Sequence, residues 1–385
     1  MKKLSTKNKH IKAPIIEFMN LAQNINNTIS LAQGLPSEAL PQCVIDEIVK
    51  IIIQNDFNKY CPSKGLPKLR KSLYKFIKKR YSKVQFQNED NIMITCGAME
   101  SLAASLLTIL DPKDEVIIFA PYYPSHVEQV HMAGGIPKIV NLDQDYQIDF
   151  ENLESEITSK TKAIIICNPS NPTGKILTKK EIKKLTQIVK KHDLFVINDE
   201  TYNFLIHDNN EFHSLLNTNI NENLITVFSF SKEFRISGLR VGYMLADEKI
   251  IEHAMKIHDI LTICSPTLSQ MIAQILLDNR DMFKTDYVQS FTKKRDMLVD
   301  HLNKYADLFS YNIPEGAYYL FIKYNLDIDS HTVAQRLLKE VKIITVPGKG
   351  FGKIGENHLR LSFAGDEIEL LDATNKLINW FKSCK

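Results

Sequence analysis

Five short apolar runs, NIMIT, VIIFA, KAIIIC, LFVIN and NLITVF, alternate between residues 91 and 228 with segments whose apolar residues recur at helical spacing. Strand and helix in strict alternation are the signature of a mainly parallel sheet, and they place this part of the chain in the α/β class. Leu102, Leu106, Ile109 and Leu110 mark one intervening helix. Ile182, Leu185 and Val189 mark another, opened by a capping box of Thr178 and Glu181. Each strand ends in a polar loop marked by Gly, Pro or charge: CGAMES, PYYPSH, NPSNPTG, DETY and SFSK. Open α/β sheets bind their ligands at the carboxyl ends of the strands, so these loops are where chemistry is expected.

The last of them begins the stretch SFSKEFRISGLRVGY, Ser229 to Tyr243. It sets Lys232 in a loop at the end of a buried strand and Arg240 eight residues further on. Helical spacing does not resume until after Gly242. A lysine held there by desolvation or beside a cation such as Arg240 has a lowered pKa and a lone pair available for Schiff-base chemistry. The same residues, with Arg235, are equally compatible with a solvated basic loop. Gly97 and Ala98, between a strand and a helix, leave backbone N–H groups for an anion at the helix's positive end. A glycine at such a junction is also common without any ligand. Asp199 closes an apolar strand, where an ionised carboxylate calls either for a cationic partner or for a helix that it caps. Asn171 fits a turn as well as a hydrogen-bonding role, and Tyr123 and Tyr202 fit a core as well as a site. Taken together and in order, these loops offer a phosphate seat, an aromatic plate, an amide, a phenol, a carboxylate, a lysine and an arginine. Pyridoxal phosphate has the features that such an inventory would hold.

The remaining segments fit around this sheet. Apolar residues at 44, 48, 51 and 52 give a helix between Pro41 and Tyr60, with Val44, Ile48, Ile51 and Ile52 on one side. A second helix opens at Pro67 and carries Leu69, Leu73, Phe76 and Ile77 on one face. From about residue 265 a helix opened by Pro266, a long charged helical stretch and the strand-like pieces GAYYLFIKY, KIITV and HLRLSF indicate an α+β second domain. The N-terminal arm is expected to join it, since chain ends tend to lie close together. With 48 basic and 45 acidic residues and a net charge of +3, neither nucleic acid nor an anionic membrane is expected as the main partner. The basic opening MKKLSTKNKHIK has no apolar run behind it, and no segment reaches membrane-spanning length, so a cytoplasmic protein is expected. The six cysteines show neither a C-x-x-C pair nor a metal spacing; buried free thiols and no metal site are expected.

The motifs NPSNPTG, NDETY and SFSKEFRISGLRVGY, in this order, resemble those of the class I/II aminotransferases, pyridoxal-phosphate enzymes of fold type I. The likeness runs from ISLAQGLP at residue 29 to RLSFA at 364. It implies a large domain with a mainly parallel seven-stranded sheet flanked by helices, plus a smaller α+β domain. The boundaries would be an arm over 1–40, a cofactor-binding domain over 41–280 and a small domain over 281–385. By motif, Lys232 would hold the internal aldimine and then shuttle a proton, and Asp199 would keep the ring nitrogen protonated. Asn171 and Tyr202 would bond the phenolic oxygen, and Tyr123 would stack on the ring. Gly97, Ala98, Met99, Ser229 and Arg240 would hold the phosphate, joined by Tyr60 of a second subunit in a homodimer with shared sites. Arg360 would grip the substrate α-carboxylate, with Gly34 and Asn171 beside it. The implied activity is a ping-pong transfer of an amino group from an L-amino acid, acidic or aromatic, to a 2-oxo acid. Lyases, cyclases and oxygen-using amino-acid oxidases of the same fold share these residues and are the alternative. A transcription regulator built on such a domain would need a DNA-binding module ahead of it, and the arm before Ile29 has no room for one. The sequence departs from many relatives at Arg235, where the third residue after the lysine is usually small.

Overall fold

Alternate residues of the apolar runs face opposite sides of one sheet, and both sides are covered. In this computed structural model, which describes residues 14–384 except Asn24, Leu35, Ser37 and Lys284, all five runs are strands. The basic opening stretch therefore lies outside the described residues. The arm contributes a two-residue strand, β1 (Ile29–Ser30); the runs form β2 (Ile92–Thr95), β3 (Glu115–Ala120), β5 (Thr161–Cys167), β6 (Phe195–Asp199) and β7 (Leu224–Ser229). Two further strands, β4 (Ile136–Asn141) and β8 (Gly242–Leu245), complete a seven-stranded sheet of order β2-β8-β7-β6-β5-β3-β4. Within this sheet β8 runs antiparallel to both its neighbours, β2 and β7, and the other pairs are parallel. On one side Val116, Ile118, Ile165, Ile197, Ile225 and Val227 pack with Leu102, Leu106 and Ile251. On the other, Ile117, Ile164, Ile166, Val196 and Phe228 pack with Leu69, Leu73, Leu185 and Val189. Burial on both faces is why these strands read as continuous apolar runs.

The helices that return the chain to the sheet start at the strands' carboxyl ends and so point their N-termini at that edge. Ala98–Ile109 follows β2, Pro124–Met132 follows β3 and Lys179–His192 follows the loop after β5. The last is opened by the expected reciprocal cap: Glu181 N–H donates to Thr178 Oγ1 at 3.2 Å, and Thr178 N–H donates to a Glu181 carboxylate oxygen at 2.8 Å.

A second, antiparallel sheet of order β12-β13-β10-β9 is built from β9 (Phe309–Ser310), β10 (Tyr319–Tyr324), β12 (Val346–Pro347) and β13 (His358–Ser362). KIITV is not one strand: β11 (Ile343–Ile344) pairs with β1 of the arm, while β12 pairs with β13. Phe321, Leu359 and Leu361 share a core with Leu337, Leu377 and Phe381 of the covering helices and with Phe18 and Leu31 of the arm.

Other expectations need correction. Ile52 is 48 % exposed, so the buried stripe of the helix Gln42–Gln54 is narrower than its composition suggested. All six cysteines are free, but Cys43 is exposed and the other five are half-buried, so none is a fully buried core thiol. Among the described residues no helix is long and apolar enough to cross a membrane.

Candidate active site

Ser229 ends β7, and its hydroxyl accepts the Ser231 N–H at 3.1 Å, starting a single helical turn over Phe230–Glu233. Lys232 lies within this turn rather than in an open loop, the turn being too short to show a helical period. Its ammonium donates to the Gly34 carbonyl at 3.1 Å, and Tyr287 fixes its backbone by donating to the Lys232 carbonyl at 2.9 Å. Burial first, then the charges of Arg360 and Arg240, lower its pKa from the usual 10.5 to about 8. Arg240, the neighbouring cation that the sequence offers, is joined by Arg360, whose effect is the larger.

Gly97 and Arg240 are built for close approach. Gly97 has φ +85°, and a Cβ there would stand 2.7 Å from Arg240 Nη2. A Cβ on Gly242 would come within 2.8 Å of the Ala98 nitrogen, so glycine lets β8 run against the start of the helix Ala98–Ile109. Arg240 donates to the carbonyls of Ser237 at 2.9 Å and Cys96 at 3.4 Å, which aims its guanidinium across this N-terminus. Backbone donors, helix dipole and guanidinium converge there with the Ser229 hydroxyl in the wall of the same cavity.

Asp199 is buried at the end of β6. One carboxylate oxygen accepts the Thr201 N–H at 3.0 Å; the other accepts from His126 Nε2 at 3.2 Å. The first contact closes a turn rather than capping a helix. His126, fully buried one helical turn beyond Tyr123, was not singled out from the sequence. Its signal was a lone histidine at that spacing in PYYPSHV. Tyr123 lines the cavity and meets the His126 ring edge-on, with centroids 5.5 Å apart.

Arg360 stands in the middle of β13 and is 1 % exposed. It donates to Asn171 Oδ1 at 3.0 Å and to the Ala32 carbonyl, and lies 4.3 Å above the Tyr319 ring. Its Nε is buried without a partner. Asn171, with its oxygen taken by Arg360, keeps its amide N–H groups for another acceptor. The Tyr202 hydroxyl is paired with that of Tyr319 at 2.9 Å, and burial pushes its pKa well up, so it remains a donor. A Cβ at Gly34 would overlap the Tyr318 ring and the Tyr319 hydroxyl. Tyr318, just before β10, and Tyr319, its first residue, carry no signal of their own in the apolar piece GAYYLFIKY.

These groups border one cavity of about 260 Å³ at the carboxyl ends of the strands. Gly34, Ala98, Met99, Tyr123, Asn171, Asp199, Tyr202, Ser229, Lys232, Arg240 and Arg360 all line it, with Gly97 directly behind Arg240. Tyr60 does not: it is 78 % exposed on the outer surface. Arg235 turns away, its guanidinium 4.2 Å over the Tyr287 ring and donating to the Ala39 carbonyl at 2.8 Å. Among the described residues no group of three His, Cys, Asp or Glu side chains is placed to hold a metal ion.

The sequence model of the family described as aminotransferase class I and II matches residues 26–377. The chain is 34 % identical over 368 residues to a probable aspartate aminotransferase of Methanocaldococcus jannaschii, covering 94 % of this chain and 95 % of the relative. It is 29 % identical to aromatic-amino-acid aminotransferase 2 of Thermococcus litoralis, over 96 % of each chain. Among solved structures, the aspartate aminotransferase of Thermotoga maritima superposes with a TM-score of 0.90 at 30 % identity, covering 98 % of this chain and 100 % of that one.

Proposed function

Because this chain belongs to the class I and II aminotransferase family, whose members are in general pyridoxal-phosphate-dependent transaminases of fold type I, we propose that it moves the amino group of an L-amino acid to a 2-oxo acid in two alternating half-reactions. Lys232 would hold the cofactor. The observation that carries this reading is the Lys232 amine, with a pKa near 8, in one cavity with Asp199, Asn171, Tyr202 and Arg360.

The residues present fit pyridoxal phosphate. The cradle at Gly97 and Gly242, too tight for a Cβ, suits a phosphate bound by the Ala98 and Met99 N–H groups, Ser229 and Arg240. Asp199, held by His126, suits a protonated ring nitrogen. The Asn171 amide and Tyr202 hydroxyl supply donors for a phenolic oxygen, and Tyr123 supplies a ring face. When bound, the cofactor would withdraw electrons from the bonds of the amino acid's Cα.

The protein's share is positioning and proton transfer. Arg360, locked by Asn171 and Ala32, presents a rigid guanidinium to the α-carboxylate and so fixes which bond at Cα faces Lys232. The freed Lys232 amine, in its uncharged form, takes the proton from the substrate Cα onto Nζ. Arg360 and Arg240 oppose its charged form, which keeps Nζ ready to release that proton again.

The active unit is a homodimer in this reading, with Tyr60 reaching the partner's phosphate. Supporting it, the loop carrying Tyr60 is tied to residues 259–267 by Ser63–Asp259 and Thr267–Lys59 hydrogen bonds. That face also exposes Ile260, Leu261 and Ile263. A division into arm 1–40, cofactor-binding unit 41–280 and small unit 281–385 is supported by the β1–β11 pairing and by the separate core of the second sheet.

The test is spectroscopic. Holoenzyme mixed with an amino acid without oxygen is expected to convert to the pyridoxamine form and to be restored by a 2-oxo acid. Release of ammonia, or of peroxide under air, with no such conversion would replace transamination by a lyase or oxidase.

A further inference from the structure

We infer that the cavity selects donors with uncharged, apolar side chains over the acidic side chain of aspartate, an inference that rests on the transaminase reading above. Among the described residues that line it, the cations are Lys232, Arg240 and Arg360. Each has a task. Lys232 Nζ is the reacting amine, Arg240 is turned to the helix N-terminus by Ser237 and Cys96, and Arg360 is turned to the α-carboxylate by Asn171 and Ala32. Among the described residues no cation is left for a second carboxylate.

The rest of the wall is of another kind. Ile15, from the helix Pro14–Ala22 of the arm, closes it together with Ala32, Met99, Leu102, Tyr123 and Tyr319, and beside Asn171 the further polar groups, Gln33 and the hydroxyls of Thr201, Ser231 and Ser237, are all uncharged. A carboxylate set against this wall gives up water and gains no opposite charge, whereas an apolar side chain gains by leaving water. Relatives of this chain carry names for both aspartate and aromatic donors, so family membership leaves the choice open. A cation brought in by a partner subunit is the rival source of acidic specificity.

Two measurements on the wild-type holoenzyme decide the matter. In calorimetric titrations 4-methylpentanoate, which has one carboxylate and an apolar tail, should bind at least about ten-fold tighter than butanedioate, which has two carboxylates. In the donor half-reaction, kcat/KM for leucine or methionine should exceed that for aspartate by a similar factor, and Ile15→Lys should narrow the ratio by adding a cation to the wall. Equal or tighter binding of butanedioate, or faster conversion by aspartate, overturns the selectivity and leaves the transaminase reading standing. A cofactor that no amino acid converts overturns the transaminase reading itself and this inference with it.

Discussion

Arg360 carries a full charge into the middle of an otherwise apolar strand, and its surroundings explain how. Two of its nitrogens are hydrogen-bonded, an aromatic ring lies beneath it, and Nε alone is unpartnered. A buried charge so held is rigid, and rigidity is what a carboxylate fork needs. Arg360→Lys keeps the charge but gives up the planar fork and leaves Asn171 without its donor. It is expected to lower kcat/KM for every donor alike by about ten-fold to over a hundred-fold, the equivalent of roughly 1.5–3 kcal/mol. A loss confined to one class of donor would show that Arg360 reads the side chain instead. At this scale the sequence was legible wherever a residue type was improbable for its setting: a lysine after a buried strand, an arginine inside one, a carboxylate at the end of another. His126, Tyr318 and Tyr319 were not legible, because a histidine in a helix and tyrosines in an apolar run are ordinary until their partners are known.

Strands buried on both faces could be read directly, since burial forces the unbroken apolar runs of β2, β3, β5, β6 and β7. The strand β4 escaped because it lies at the sheet's edge, with Pro137 and Lys138 inside it and Ile136 and Ile139 substantially exposed. KIITV misled for a different reason: a short run can serve two sheets, and only the register of β1 and β13 divides it. The Thr178–Glu181 cap was read correctly because both halves of the box are local. Thr178→Ala removes that cap from the helix Lys179–His192, and a loss of about 0.5–2 kcal/mol is expected in thermal or denaturant unfolding, with the cofactor spectrum unchanged. A protein of unaltered stability would mean that packing of Ile182, Leu185 and Val189 alone sets that helix.

Across the whole molecule, the large sheet supplies Asp199, Ser229 and the proposed seat for the cofactor and the second sheet supplies Arg360, so the cavity exists only where the two meet. The arm, pinned by β1 to β11, closes the cavity with Gly34 and Ile15. Tyr60 does not line this protomer's cavity, and in the proposed dimer it would serve the partner's. Mixing Tyr60→Ala with Lys232→Ala subunits is expected to give hybrid dimers with one complete site, and so to restore tight cofactor binding that neither variant has alone. Hybrids no better than the Tyr60→Ala parent would make Tyr60 an ordinary surface residue.

The central claim is that Lys232, and no other lysine, is the residue to which the cofactor attaches. The direct measurement is to load apoprotein with pyridoxal phosphate, reduce with borohydride across a pH series, and locate the added mass by peptide mass spectrometry. The amine reacts when uncharged, so labelling should rise with pH and reach half its maximum near pH 8, where a lysine of ordinary pKa would do so near 10.5. The account predicts a single pyridoxyl group, on the peptide containing Lys232, with that pH profile. Label on another lysine, or spread over many with an ordinary profile, would contradict it.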